Sequence, residues 1–332
     1  MRRAGWALPV LLVAATLGGC GDSSEKHEAL LPAPQGLTLQ GNEFEVVLPS
    51  GLFRFTATDT RDEVTEGEAA DGKPHEAPDG QQYLGLQWDW EGMTGPVFSV
   101  LNRDQPPLAA TVSVVASEQE VSVFELDTQA ASPGDRAWVL VPDEADARLQ
   151  VTYDGHTQTV DLASGEVDAG VAEGFYGIGD VGYAPDCPDQ GPGNASGRDG
   201  WQYRIECTVG EVYAVPYVAG LGWAAEGQTW LLAPVQLAAW EFGFAVGDES
   251  TRYRVDDEEE SVSVAGGGDP ETLQHAGETP GRFETVYAVP VPAEGPWVLD
   301  VTHSYDLTRD GLAPGAPASK QLRYHSTLTI GS

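Results

Sequence analysis

Alternation of apolar and polar residues is the feature that most constrains the fold of this chain. Runs such as "YLGLQWDW" (83–90), "ARLQVTY" (147–153) and "WQYRIECTV" (201–209) place an apolar side chain at every second position. That period is typical of a β-strand with one buried face. Gly, Pro, Asp and Asn separate the runs, and helical periodicity is nearly absent. The sequence therefore predicts an all-β protein made of antiparallel sheets.

The second half of the chain repeats parts of the first. "VLVPDEADARLQVTYD" (139–154) aligns without a gap with "VPVPAEGPWVLDVTHS" (289–304) at an offset of 150 residues. Three shorter matches follow the same order: "DGQQYL" (79–84) with "EGQTWL" (226–231), Arg54 with Arg204, and an acidic hairpin in "VSVVASEQEVSV" (112–123) with "YRVDDEEESVSV" (253–264) at an offset of 141. Four matches in one order predict a divergent tandem duplication. The alternative is a chance likeness between two β-rich segments.

These patterns predict four regions. Residues 1–19 are expected to be a lipoprotein signal peptide and residues 20–36 a flexible tether that begins with a lipidated cysteine. Residues 37–165 and 166–332 are expected to be two tandem antiparallel β-sandwich domains. We place the boundary between the sandwiches near 165–174, where glycines and acidic residues interrupt the strand pattern.

The start of the chain has the pattern of an export signal. Arg2 and Arg3 precede an apolar run, "WALPVLLVAATL" (6–17), which is shorter than the roughly 20 residues that cross a bilayer as a helix. The block "LGGC" (17–20) resembles the lipobox of bacterial lipoproteins. This resemblance implies that Cys20 carries a lipid and holds the protein on the outer face of the cell membrane. The alternative is an ordinary secretory signal in which Cys20 has no role.

Two cysteines remain once Cys20 is assigned to a lipid. Cys187 and Cys207 are expected to form a disulfide in an oxidising compartment, and Cys207 lies on the apolar face of its strand. This bond would attach a Gly-, Pro- and Asp-rich loop to the core. The alternative is a catalytic thiol, but neither residue lies within a cysteine-protease signature.

A strong negative charge limits the partners of the protein. The formal net charge is −35, with 52 acidic residues against 17 basic ones, which opposes binding to nucleic acids. Lysine is rare while arginine, alanine and glycine are common, a bias that indicates a high-GC Gram-positive source, with a halophile as the alternative. The acidic run "DDEEE" (256–260) and the aspartates of the predicted disulfide loop lack the spacing of calcium-binding loops, so we interpret both as solvated loops. Weak binding of divalent cations is the alternative.

Sites of chemistry are sparse in the sequence. Trp88 and Trp90 share a strand face with Leu84 and Leu86, which favours core side chains over a sugar-binding platform. His303 replaces Tyr153 in the repeat alignment, and we expect it to be a buried structural histidine. There is no G-x-S-x-G or H-E-x-x-H motif. We therefore assign no catalytic residue, metal ligand or cofactor.

The two repeats also share a turn and strand motif. Gly80-Gln81-Tyr83-Leu84 and Gly227-Gln228-Trp230-Leu231 each follow a long acidic loop, and they resemble the immunoglobulin-like domains of Gram-positive surface lipoproteins. The resemblance implies an envelope protein and carries over no site residues. The sequence favours a non-enzymatic module that binds or scaffolds another envelope protein or a glycan. An envelope carbohydrate-binding accessory protein, or a hydrolase with a carboxylate site between the domains, is the alternative.

Overall fold

The structure, a computed structural model, describes residues 29–92, 110–126, 135–143, 146–180, 200–279, 282–311 and 315–331. Within these ranges the chain forms 22 β-strands and one 3-10 helix, which confirms the prediction of a nearly all-β protein. In the same ranges there is no helix with the length and apolar character that a membrane crossing requires.

The first half of the chain forms two five-stranded antiparallel sheets. Its strands are β1 (Leu30–Pro32), β2 (Asn42–Leu48), β3 (Gly51–Arg61), β4 (Glu63–Val64), β5 (His75–Glu76), β6 (Gln81–Gly92), β7 (Ala110–Ala116), β8 (Gln119–Leu126), β9 (Asp135–Pro142), β10 (Ala147–Tyr153), β11 (His156–Asp161) and β12 (Val167–Asp168). One sheet has the order β1-β9-β6-β3-β2, and the other has the order β12-β11-β10-β7-β8. Strands β4 and β5 form a separate small pair.

Both five-stranded sheets contribute to one hydrophobic core. Phe53 and Leu86 of the first sheet and Val112 and Val151 of the second are fully buried in the same cluster. Each of these residues occupies an alternate position on its strand, so the apolar faces of the two sheets turn towards each other, as in a β-sandwich.

The second half of the chain forms one eight-stranded antiparallel sheet after the 3-10 helix (Gly170–Asp180). Its strands are β13 (Trp201–Val209), β14 (Tyr213–Val215), β17 (Gln228–Val246), β18 (Glu249–Val264), β19 (Glu271–Thr279), β20 (Arg282–Pro292), β21 (Trp297–Asp310) and β22 (Ser319–Ile330). Strand β17 pairs with β13, β14, β18 and β20. A short hairpin, β15 (Tyr217–Val218) and β16 (Gly222–Trp223), lies outside this sheet. The sheet encloses a second hydrophobic core of its own.

The first unit extends beyond the predicted range of 37–165. Strand β1 lies inside the segment predicted to be a flexible tether, and its Leu31 is buried in a small cluster with Trp138. Strand β12 pairs with β11, so residues 167–168 also belong to the first unit. Apolar residues at both ends of the unit therefore find partners within it.

The acidic run "DDEEE" is not a loop. Residues 256–260 lie inside β18, a single strand of 16 residues, so the predicted hairpin at 253–264 is wrong. A register shift between Val255 and Asp257 turns Glu258 and Glu260 towards the core. The side chain of Glu260 is only 5% exposed.

The strand ladders of the two halves share a register. Gln81 pairs with Pro142, and Gln228 pairs with Pro292. Both pairs join residues that the sequence alignments equate, at offsets of 147 and 150 residues.

A second correspondence replaces the predicted match at an offset of 141. The segment "VSV" at 112–114 pairs with 149–151, and the identical segment "VSV" at 262–264 pairs with 299–301. The two segments have corresponding ladder partners and are 150 residues apart, which is the offset of the longest sequence match. By the same register, the Glu260 and His303 pair of the second half corresponds to the Ala110 and Tyr153 pair of the first.

Candidate functional site: a cleft between the two halves

Aromatic side chains from two hairpins meet where the two halves of the chain touch. The turn between β10 and β11 is Asp154-Gly155, and both residues have a positive φ, as a two-residue hairpin turn of type I′ requires. This turn faces the β15–β16 hairpin of the second half. The Trp223 ring lies 4.9 Å from His156 and 6.0 Å from Phe175 between centroids. These tilted and edge-to-face contacts are the favourable geometry for aromatic pairs.

Polar contacts fix the same junction. The indole N–H of Trp223 donates a hydrogen bond of 3.1 Å to the backbone oxygen of Tyr153. Burial raises the pKa of Tyr217, and the neighbouring Tyr153 and Asp154 raise it further. Val215 and Val218, from the second half, are buried in the core of the first half. The junction therefore holds the two halves in one arrangement.

A cleft of about 810 Å³ opens beside this junction. The 3-10 helix forms one wall, and the segment from Tyr213 to Thr229 forms much of the other. Tyr176 fastens the helix to the first half, because its hydroxyl donates to Gln158 Oε1 at 2.7 Å and accepts from the backbone N–H of Val47 at 3.2 Å. This volume lies in the range of ligand-binding pockets in proteins, roughly 300–1,000 Å³.

The lining of the cleft combines apolar walls with acidic groups. Apolar side chains line much of it (Val171, Ala214, Pro216, Ala225, Ala293, Trp297). Glu173 and Glu226 are exposed at the cleft, together with Gln228. The hydroxyl of Tyr213 donates to the Glu211 carboxylate. Burial, followed by this hydrogen bond, raises the pKa of Tyr213 to about 12. The cleft thus offers carboxylates and hydrogen-bonding groups on an apolar surface.

A buried polar cluster lies within the core of the second half. Glu260 Oε1 accepts a hydrogen bond of 2.7 Å from the Tyr287 hydroxyl, and Glu260 Oε2 lies 3.5 Å from His303 Nδ1. Glu258 Oε2 lies 3.9 Å from His303 Nε2. The His303 ring is fully buried and stacks on Tyr305 at 4.2 Å. His303 is thus buried as expected, but two glutamates that the sequence placed in solvent surround it.

The tyrosines of this cluster predict a loss of stability at alkaline pH. Burial raises the pKa of Tyr305, and the nearby Glu258 and Glu260 raise it further. Burial also raises the pKa of Tyr287, and its hydrogen bond to Glu260 adds to that increase. An unfolded tyrosine loses its proton at about pH 10. Above that pH the unfolded chain binds fewer protons than the folded chain, so the free energy of unfolding falls as pH rises. Urea unfolding between pH 8 and 11 measures this fall.

Tyr305→Phe separates this effect from a general loss of structure. The Tyr305 hydroxyl is buried and has no hydrogen-bond partner among the described residues, so we expect the variant to match the parent within about 1 kcal/mol at pH 8. We expect it to lose less stability than the parent between pH 10 and 11. Equal slopes for the two proteins would contradict the role of Tyr305.

The residues predicted from sequence lie apart from the cleft. Cys20 and Cys187 lie outside the described residues, so the lipid site and the Cys187–Cys207 disulfide stay predictions. Cys207 is half-buried on β13 and packs against the second core. Trp88 is 8% exposed and stacks on Phe124 at 4.4 Å. Trp90 packs on Phe53 at 4.7 Å, so both tryptophans contact the first core.

Comparisons with known proteins add little to this description. No protein-family model and no curated protein matches the chain. A solved structure, the crystal structure of the conserved domain protein from Bacillus anthracis, is similar over 87% of this chain and 92% of that one. It has 11% sequence identity and a TM-score of 0.21. At that score the likeness supports no statement about the fold or the function of this chain.

Proposed function

We propose that the protein is an exported, lipid-anchored module that binds a ligand at the cell envelope without chemically changing it. The observation that carries this proposal is the cleft of about 810 Å³ between the two halves. Hairpin contacts on one side and the fastened 3-10 helix on the other fix its walls. A cleft whose walls are already fixed avoids the cost of ordering them on binding, which favours recognition of a ligand.

The lipobox resemblance supplies the location. A diacylglycerol group on Cys20 would hold the protein on the outer face of the membrane, because each buried methylene adds about 0.8 kcal/mol to membrane binding. The chain between Cys20 and β1 would then act as a short connection.

Replacement of Cys20 tests the anchor. In a high-GC Gram-positive host fed a palmitate analogue, we expect the parent chain to be labelled and to sediment with membranes. We expect Cys20→Ala to lose the label and to appear in the medium or the soluble fraction. The matched control is Cys207→Ala, which should keep the label. Unchanged labelling and membrane retention of Cys20→Ala would overturn the anchor.

A carboxylate-based hydrolase is the second candidate function. Glu173 and Glu226 both line the cleft, and glycoside hydrolysis uses a pair of carboxyl groups. This candidate requires that new reducing ends appear when the protein is incubated with purified cell-wall glycan. Binding alone produces none.

We also infer that the two halves are tandem immunoglobulin-like sandwiches that arose by duplication. The shared ladder register and the two "VSV" segments at an offset of 150 residues support this inference. The first half has two separate five-stranded sheets. In the second half, the long strands β17 and β18 pair with each other and so connect all of the main strands in one sheet.

A further inference from the structure

The charge of the cleft selects among ligands. Glu173 and Glu226 line it, and the Glu211 carboxylate lies at its Tyr213 wall. The described residues that line the cleft include neither lysine nor arginine. An anionic ligand would therefore meet carboxylates without a lysine or arginine among the described lining residues; the His156 imidazole also lines the cleft, and its Nε2 lies 2.8 Å from the Ala169 backbone oxygen. A cation would form charge-assisted hydrogen bonds, which are stronger than neutral ones.

The negative charge of the rest of the molecule adds to this preference for cations only at long range. With a net charge of −35, the protein attracts any cation that approaches it. At physiological ionic strength the screening length is about 8 Å, so charges beyond the cleft contribute little to a bound ligand. The carboxylates at the cleft consequently decide its specificity, and the overall charge affects mainly the association rate.

The apolar walls constrain the body of the ligand. Val171, Ala214 and Ala293 are small or short side chains, and they leave room for a linear aliphatic chain. Among the polar groups, the Thr229 hydroxyl already donates a hydrogen bond of 2.8 Å to the backbone oxygen of Val215. Gln228 is exposed at the cleft, and its side-chain amide can both donate and accept hydrogen bonds.

We propose that the cleft binds a basic peptide segment, in which lysine or arginine side chains lie on the apolar walls and carry their cationic groups to Glu173 and Glu226. Long basic side chains combine an aliphatic stem with a charged end, and the cleft presents both complementary surfaces. This inference rests on the proposed function, because it names the class of ligand for the same cleft.

The probe is a synthetic hexapeptide with alternating alanine and lysine, and its binding to the full-length mature chain is measured by calorimetry at 0.15 M salt. We expect the same peptide with acetylated lysines to bind at least roughly tenfold more weakly, because acetylation removes the charge and leaves most of the stem. We expect Glu173→Gln/Glu226→Gln to weaken binding of the lysine peptide by a similar factor. The matched control is Glu249→Gln/Glu259→Gln, which changes two exposed glutamates of β18 and should leave binding unchanged.

A blocked cleft separates specific binding from general attraction to an acidic surface. Gly177 lines the cleft, and a Cβ at this position would meet no atom within 4 Å. Gly177→Trp therefore places an indole in the cleft without a clash at the backbone, and we expect it to abolish binding. Gly67→Trp is the control, since Gly67 is an exposed residue of the first half with equally open space.

The outcomes distinguish the two proposals. If the acetylated peptide binds as tightly as the lysine peptide and Gly177→Trp blocks both, the cleft is a binding site and the basic ligand class is wrong. If the lysine peptide binds Gly177→Trp as tightly as the parent, the cleft is not its site, and the proposed function loses its support. Absence of binding at millimolar peptide overturns the ligand class alone.

Discussion

Replacement of His303 by alanine is expected to lower the free energy of unfolding by about 3–5 kcal/mol. The imidazole is fully buried, and its Nδ1 lies 3.5 Å from a Glu260 carboxylate that is itself almost fully buried. The variant leaves a cavity and removes the polar group that faces this carboxylate, and both a core cavity and the loss of a polar partner of a buried group are destabilising. The measurement is urea unfolding at pH 7.

Two further variants make this prediction specific. His325→Ala is the matched control, because His325 is half-exposed on β22 and lies 3.4 Å from Asp300 at the surface; we expect a loss below about 1 kcal/mol. Glu260→Ala/His303→Tyr recreates the Ala110 and Tyr153 pair of the first half. Because replacement of both members of a buried polar pair is often nearly neutral, we expect the double variant to recover most of the lost stability. Equal losses in His303→Ala and His325→Ala would contradict the prediction.

Much of the fold could be predicted because apolar and polar residues alternate along its strands. In β6 and β13, every second residue is apolar, so the sequence identifies both the strand and its buried face. The antiparallel sheets follow, since the runs are short and turn residues separate them. The alternation does not say which strands pair, and the predicted match at an offset of 141 residues differs by nine residues from the offset of 150 that the ladders share.

The acidic part of β18 could not be predicted because its inward-facing and outward-facing residues do not differ in hydropathy. In the run 256–260 every residue is acidic, so a period of two has no signal in hydropathy. The structure nevertheless turns Glu258 and Glu260 inward and leaves Asp257 and Glu259 exposed. The inward glutamates face His303 and Tyr287, which lie on two other strands. These contacts of the inward glutamates depend on the tertiary fold, and the local sequence pattern does not indicate them.

The cleft was missed for a related reason. Its walls come from a 3-10 helix at 170–180 and a segment near 213–229, and the motif at Gly227-Gln228 does not indicate that the helix lies opposite it. Glu173 and Glu226 are two of 52 acidic residues, and only the fold brings them to one opening. In the sequence, Gly170 and Gly174 are interpreted as part of a boundary and Gly227 as part of a turn, and Gly177 has no predicted role. All four glycines also keep the cleft open, because they add no side chain to it.

Replacement of Trp223 by alanine is expected to uncouple the two halves. The indole contacts the rings of His156 and Phe175 across the junction and donates a hydrogen bond to the Tyr153 backbone. Loss of a large, partly buried ring costs about 3 kcal/mol, and here the loss falls on the contact between the two cores. We expect the calorimetric enthalpy of unfolding to exceed the van't Hoff enthalpy, as it does when one cooperative transition becomes two.

Trp90→Ala is the matched control for this prediction. Trp90 is also half-buried, but its ring packs on Phe53 inside the first core. Its loss should lower the unfolding temperature and leave the two enthalpies in their parental ratio, since the contact between the halves remains. If Trp223→Ala lowers stability by a similar amount and also keeps that ratio, Val215 and Val218 hold the halves together without the aromatic junction. The walls of the cleft would then owe their fixed arrangement to the shared core, because those two valines are buried within it.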